Sequence, residues 1–125
     1  RICMHKKSSD KHHDMIILQQ RKNFYLPHKH LKKGETYHII KGKMICVLFH
    51  NNGKIKSKCV ISKNNIFRTP LNTFHTMAPL TKYVIYHESK IGPFLKKDDS
   101  IFPPWVNKFK KSKKEILKFK KKLRI

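Results

Sequence analysis

Four residues in this 125-residue chain have the types and spacing that a metal ion needs in order to be held in place. They are His28 and His30, followed by Glu35 and, forty residues on, His75. In an extended segment alternate residues face the same way, so His28 and His30 project to one side and Lys29 to the other. Glu35 follows a turn containing Gly34, from which a carboxylate can swing back toward the two imidazoles. His75 opens a further strand after Pro70. Three neutral nitrogen donors and one carboxylate suit Fe, Mn, Ni, Co or Zn better than Mg or Ca. Four protein ligands also leave octahedral positions for water or substrate. Single histidines on strands are more often surface or core residues. His12, His13 and His50 are therefore read as exposed or loop residues, and His38, which alternates with Tyr37, as facing away from the ion.

The elements that must position these residues are short strands. Met15–Leu18, Asn23–Leu26, Thr36–Ile40, Met44–Phe49, Ile55–Ile61, Ile66–Arg68 and Tyr83–His87 are apolar, β-rich runs separated by turn residues. Asn51-Asn52-Gly53 is a strong hairpin signal. Residues 1–13 are polar and read as irregular. No long helical period precedes Pro103, so the pattern predicts an all-β sandwich or barrel. Residues 107–125 differ, with ten Lys or Arg and a single acid, Glu115. Phe109, Ile116, Phe119 and Leu123 recur at helical spacing, which predicts a basic amphipathic helix with its apolar stripe on the barrel. Contact of that tail with nucleic acid or an anionic membrane is the sharper alternative.

Composition bounds the rest. The length is that of one domain. The formal net charge is +23, carried by 30 Lys and Arg against 7 Asp and Glu. Only four of those 30 are Arg, the better phosphate-gripping residue, and a bias toward A- and T-rich codons accounts for much of the Lys excess. The charge is compatible with nucleic acid, anionic lipid or sugar nucleotides and selects none of them. No apolar run is long enough to span a bilayer, and residues 1–5 show no signal peptide. Cys3, Cys46 and Cys59 form no CxxC pair and read as reduced thiols of a cytoplasmic protein.

His28-x-His30, Glu35 and Gly42 match the first motif of the cupins at every spacing, and Pro70-x-Asn72-x-x-His75 resembles the second, with Asn72 where a Gly is usual. Pro27-His28-Lys29-His30, Phe74-His75-Thr76, His87-Glu88, Gly92-Pro93-Phe94, Pro103-Pro104-Trp105 and the early Arg1-x-Cys3-x-His5 make residues 1–106 similar to the WbuC-type cupin metalloproteins. The resemblance implies a small double-stranded β-helix, or jelly-roll barrel, over residues 1–106 with a basic tail over 107–125. It implies one divalent transition metal (Zn, Fe, Mn or Ni) on His28, His30, Glu35 and His75, a homodimer, and a role in O-antigen or other surface-polysaccharide biosynthesis. The small-molecule substrate would be a sugar or sugar nucleotide, with Tyr37 or Glu88 transferring protons as catalytic groups. An Fe-dependent dioxygenase and a non-catalytic binding module with a basic tail are the alternatives. Cys3 and His5 are expected near one mouth of the barrel, and Trp105 is expected to cap its apolar end. No His–Asp base of the sugar-epimerase kind is expected.

Overall fold

The computed structural model describes residues 1–95 and 99–125. Among the described residues, eight strands form two antiparallel sheets. The strands are β1 (Ile2–Cys3), β2 (His12–Gln20), β3 (Glu35–Lys41), β4 (Lys43–Phe49), β5 (Ile55–Ser62), β6 (Ile66–Arg68), β7 (Phe74–Pro79) and β8 (Tyr83–Ile91). One sheet has the order β1-β2-β8-β3-β6 and the other β5-β4-β7, in keeping with the sandwich or barrel expected from the strand pattern and the jelly roll implied by the resemblance.

Three expectations need correction. Asn23–Leu26 forms no strand; Pro27 lacks the N–H that a ladder requires, and the segment runs as an extended linker. Residues 1–13 are not wholly irregular, since Ile2–Cys3 pairs with Met15–Ile16 and extends the larger sheet. The last strand runs on to Ile91, so Glu88 lies inside it rather than at its end.

Register explains how the barrel interior is built. Residues directly opposite in a ladder share a face. Ile17, Tyr86 and Ile39 form one inward row across β2, β8 and β3. Met15, Glu88 and Tyr37 form the next, and His13, Lys90 and Glu35 the one nearest the mouth. The interior thus grades from apolar at its base to ionisable at its mouth. Met44, Cys46 and Met77 from the smaller sheet close the apolar base.

The opposite face of the smaller sheet presents Ile45, Val47, Phe49, Phe74 and Ala78, and the C-terminal segment covers it. That segment has two helices, α1 (Asn107–Lys111) and α2 (Lys113–Leu123), instead of one. Ser112 breaks them with an extended backbone and caps α2 by accepting a hydrogen bond from the Glu115 amide. Ser112-Lys113-Lys114-Glu115 is a capping-box sequence, a legible signal that the amphipathic spacing alone had masked. Phe109 and Leu123 are buried, each contributing about 1.5–3 kcal/mol of transfer free energy. Trp105 packs on Phe49, Phe74 and Phe119 under this helix, with its indole N–H donating to the Asn51 carbonyl. It therefore anchors the tail outside the sheet instead of capping the barrel.

Candidate metal centre

His28, His30, Glu35 and His75 come together at the barrel mouth, with one potential ligand atom from each lying within 4.8 Å of all the others. They arrive from different parts of the fold. Glu35 begins β3 in the larger sheet, and His75 is the second residue of β7 in the smaller one. His28 and His30 sit on the linker. Reciprocal backbone hydrogen bonds tie His28 to His75 at 3.1 and 2.9 Å, and a second reciprocal pair ties Lys29 to Ile101 at 2.9 Å. The linker therefore keeps strand-like alternation without belonging to a sheet.

Local backbone chemistry sets the approach to His75. Asn72 adopts a left-handed conformation, φ 52°, and its N–H donates to the His30 carbonyl at 2.8 Å. Asn is among the few side-chain-bearing residues that enter this region readily, so Asn72 serves the turn where a cupin usually has Gly. Glu35 is fixed by Thr69, whose hydroxyl accepts from the Glu35 N–H at 3.1 Å while its own N–H donates to the Glu35 carbonyl at 2.9 Å.

The three imidazoles are held alike. Each Nδ1 faces a backbone carbonyl: Leu26 for His28 at 2.8 Å, Thr73 for His75 at 3.0 Å, and Asp99 for His30. A carbonyl only accepts, so each Nδ1 carries the proton and each Nε2 lone pair is directed to the centre in the neutral tautomer. His30 and His75 are buried, and the Nε2 of each lacks a hydrogen-bond partner. Glu35 lies close to both, with Oε1 3.2 Å from His30 Nε2 and Oε2 3.6 Å from His75 Nε2, yet neither nitrogen has a hydrogen-bond partner. Buried polar nitrogens left this way cost about 1–3 kcal/mol each. A divalent cation would satisfy these nitrogens and the carboxylate together, and the donor set fits one.

The electrostatics differ between the rings. Burial lowers the His30 pKa, but Glu35 outweighs it and raises it above the ordinary value, so in the metal-free protein that ring favours a proton that an ion must displace. Burial lowers the His28 pKa to about 4, keeping that ring a neutral donor. Burial pushes the Glu35 carboxyl up, but His30, His75 and Lys90 outweigh it and hold the group well below its ordinary value. Lys90 Nζ sits 3.5 Å from Glu35 Oε1 and 3.1 Å from Asp99 Oδ2. Tyr37, wholly buried, donates its hydroxyl to Glu35 Oε2 at 2.7 Å; burial and the neighbouring carboxylates raise its pKa well above the usual phenol range. Glu88, opposite Tyr37 in the register, is raised to about 7 by burial first and by Glu35 second.

Other histidines were only partly legible. His12, His38 and His50 are exposed, as expected. His13 is buried, contrary to expectation, because β2 starts at His12 and its alternation turns His13 inward with Met15 and Ile17. The sequence also hid a His–Asp cluster: Asp14 lies 2.9 Å from His12 Nε2 and 2.8 Å from His87 Nε2. It occupies the outer face of the β2–β8 pair, away from the barrel interior, and only strand register brings Asp14 and His87 together. Cys3, Cys46 and Cys59 are free thiols.

A family profile described as a domain of unknown function, DUF6016, matches residues 1–61. No curated protein sequence matches the chain. Among solved structures, the chain is similar to the capsular polysaccharide assembling protein CapF from Staphylococcus aureus, at 18% identity and TM-score 0.65 over 75% of this chain and 27% of that one. It is similar to the Schizosaccharomyces pombe Cnp3 cupin domain, at 10% identity and TM-score 0.59 over 71% of this chain and 61% of that one. It is also similar to Lactobacillus farciminis oxalate decarboxylase, at 16% identity and TM-score 0.61 over 93% of this chain and 32% of that one. The chain therefore spans about a third or less of CapF and the decarboxylase. The shared architecture is the small cupin jelly roll, and the His/Glu cluster fits a divalent metal. No helix among the described residues is long and apolar enough to cross a membrane.

Proposed function

We propose that this cupin holds one divalent transition metal per chain on His28, His30, Glu35 and His75, and uses it on a sugar or sugar-nucleotide intermediate of surface-polysaccharide biosynthesis. The observation that carries the metal reading is the pair of buried, unpartnered Nε2 atoms on His30 and His75 facing a carboxylate. The substrate class rests on the WbuC-type resemblance and on the likeness to a capsular polysaccharide assembling protein. A cytoplasmic homodimer, with residues 1–106 as the barrel and 107–125 as its basic tail, belongs to the same reading.

The metal would act as a Lewis acid on a substrate oxygen. The chain's own residues do the rest. The three carbonyl-anchored imidazoles fix the donor geometry before anything binds. Tyr37 holds Glu35 in place through its hydroxyl. Glu88, with a pKa of about 7, can keep or release a proton near neutrality beside that hydroxyl, which suits it to proton transfer. The chain's formal net charge of +23 favours an anionic substrate.

Metal analysis of freshly purified protein, beside a His30→Ala, His75→Ala double variant, tests the centre. The expected result is close to one transition-metal ion per chain, lost in the variant. No metal in either sample after reconstitution would overturn it.

A further inference from the structure

The polar end of the barrel continues past Lys90 into a second cavity. β1 adds Cys3 beside Met15 in register, and His5 stacks on His13 with ring centroids 4.0 Å apart. A cavity of about 260 Å³ opens there, with Arg1, His5, Lys6, Lys7, His13 and Lys90 in its lining. No Asp or Glu lines it among the described residues. Cys3 and His5, expected near one mouth of the barrel, both line this cavity.

The cavity is built by specific contacts. Asp10 accepts hydrogen bonds from the Lys6 and Lys7 amides at 2.9 and 3.1 Å, which folds the loop that carries both lysines. The Phe94 and Gly92 amides donate to Ser8 and Lys11, each at 2.8 Å, and lash that loop to the end of β8. Gly92 permits the approach: a Cβ there would lie 1.8 Å from the Asp10 carbonyl oxygen and 2.8 Å from the His13 ring. His13 is 3% exposed, and its Nε2 has no hydrogen-bond partner. Lys90 is already engaged by Glu35 and Asp99, whereas the Arg1, Lys6 and Lys7 side chains make no ion pair among the described residues.

We infer that this cavity is an oxyanion subsite, which takes a phosphate-type group of the substrate between the Lys6–Lys7 loop, Arg1 and His5. A partly enclosed cleft lined by one sign of charge concentrates counter-charge, and a guanidinium grips a tetrahedral oxyanion at two points. Lys90 lines the cavity and lies 3.5 Å from Glu35, so a group seated there is one side chain away from the four-ligand centre. That orientation of the substrate rests on the reading of the centre given above; the anion site itself is tested without metal.

The test is titration of chelator-treated, metal-free protein with inorganic pyrophosphate, followed by calorimetry and by the imidazole signals in NMR spectra. The expected result is saturable one-site binding that shifts His5 and His13. Lys6→Ala with Lys7→Ala should weaken it about tenfold, the scale of losing charge-assisted contacts. Lys121→Ala with Lys122→Ala, an equal loss of charge on α2, should change it by less than about twofold, because screening isolates distant surface charges. Absence of saturable binding, equal weakening by the two double variants, or shifts confined to His28, His30 and His75 would each overturn the inference. A metal titration run separately decides the four-ligand centre, so its failure would be seen apart from the pyrophosphate result.

Discussion

Two clusters of histidine and carboxylate lie on opposite sides of the larger sheet, and they share almost the same inventory. Outside, His12 and His87 flank Asp14 with Nε2 to oxygen distances of 2.9 and 2.8 Å. Inside, His28, His30 and His75 surround Glu35, with distances of 3.2 and 3.6 Å from His30 and His75. The outer imidazoles have what they need from Asp14 and from water, since their side chains are 62% and 31% exposed. Inside, His30 and His75 are sealed from solvent and their Nε2 atoms have no hydrogen-bond partner, while the Nδ1 of all three rings is already spent on a carbonyl. Residue type does not separate the clusters. Spacing and burial do, and only the inner arrangement leaves room and demand for an ion.

The contrast can be broken most decisively by metal-linked stability. At a metal concentration about a thousandfold above Kd, the wild-type protein should gain about 4 kcal/mol, read as a rise in Tm. His30→Ala with His75→Ala should abolish that gain, while His87→Ala should keep it. Equal loss in both variants would mean that the two clusters are equivalent.

Glu88 gives the next largest effect. In metal-free protein its folded pKa of about 7 lies above the ordinary 4.5. Between those values the folded state holds a proton that the unfolded chain has released. The stability contributed is complete below 4.5 and is lost as pH rises through 7. Glu88→Gln should flatten that slope and raise stability at pH 8 relative to wild type, by on the order of 2–3 kcal/mol at most. A wild-type stability that does not fall over this window in thermal melts would refute the assignment.

Tyr37→Phe removes the 2.7 Å hydrogen bond to Glu35 and nothing else of size. Metal affinity should fall about 10- to 100-fold, the usual range for a residue that orients a ligand. Competition with a chelating dye measures it, and an unchanged affinity would show that Glu35 needs no support. The smallest effect is expected outside. Asp14→Asn should cost less than about 1 kcal/mol in chemical denaturation, as for exposed ion pairs, and should leave metal stoichiometry untouched.

How much of this was readable beforehand differs between the same two regions. The inner cluster follows from motif spacing, because His28, His30 and Glu35 are near neighbours in the chain and His75 closes a recognisable second motif. The outer cluster joins Asp14 to His87, 73 residues apart, through the pairing of β2 with β8, and register is not written in either segment alone. His13 was missed for a related reason: where β2 begins decides which of two adjacent histidines turns inward. The strand pattern located most of the barrel but failed at Asn23–Leu26, where apolar content without ladder partners made a false strand. Periodicity found the tail helix and missed its break at Ser112, because the apolar stripe continues in phase on both sides of it.

The linker that carries His28 and His30 is fastened by five backbone hydrogen bonds, donated by His28, Lys29, Asn72, His75 and Ile101. It belongs to neither sheet and works as a clasp laid across the barrel rim. Opening it would separate two candidate ligands from the other two and expose those same amides to solvent at once. Deuterium uptake at His28 and Lys29 is therefore a clock for the rim, and it should slow in step with ion retention while the β4 amides beneath keep their own pace.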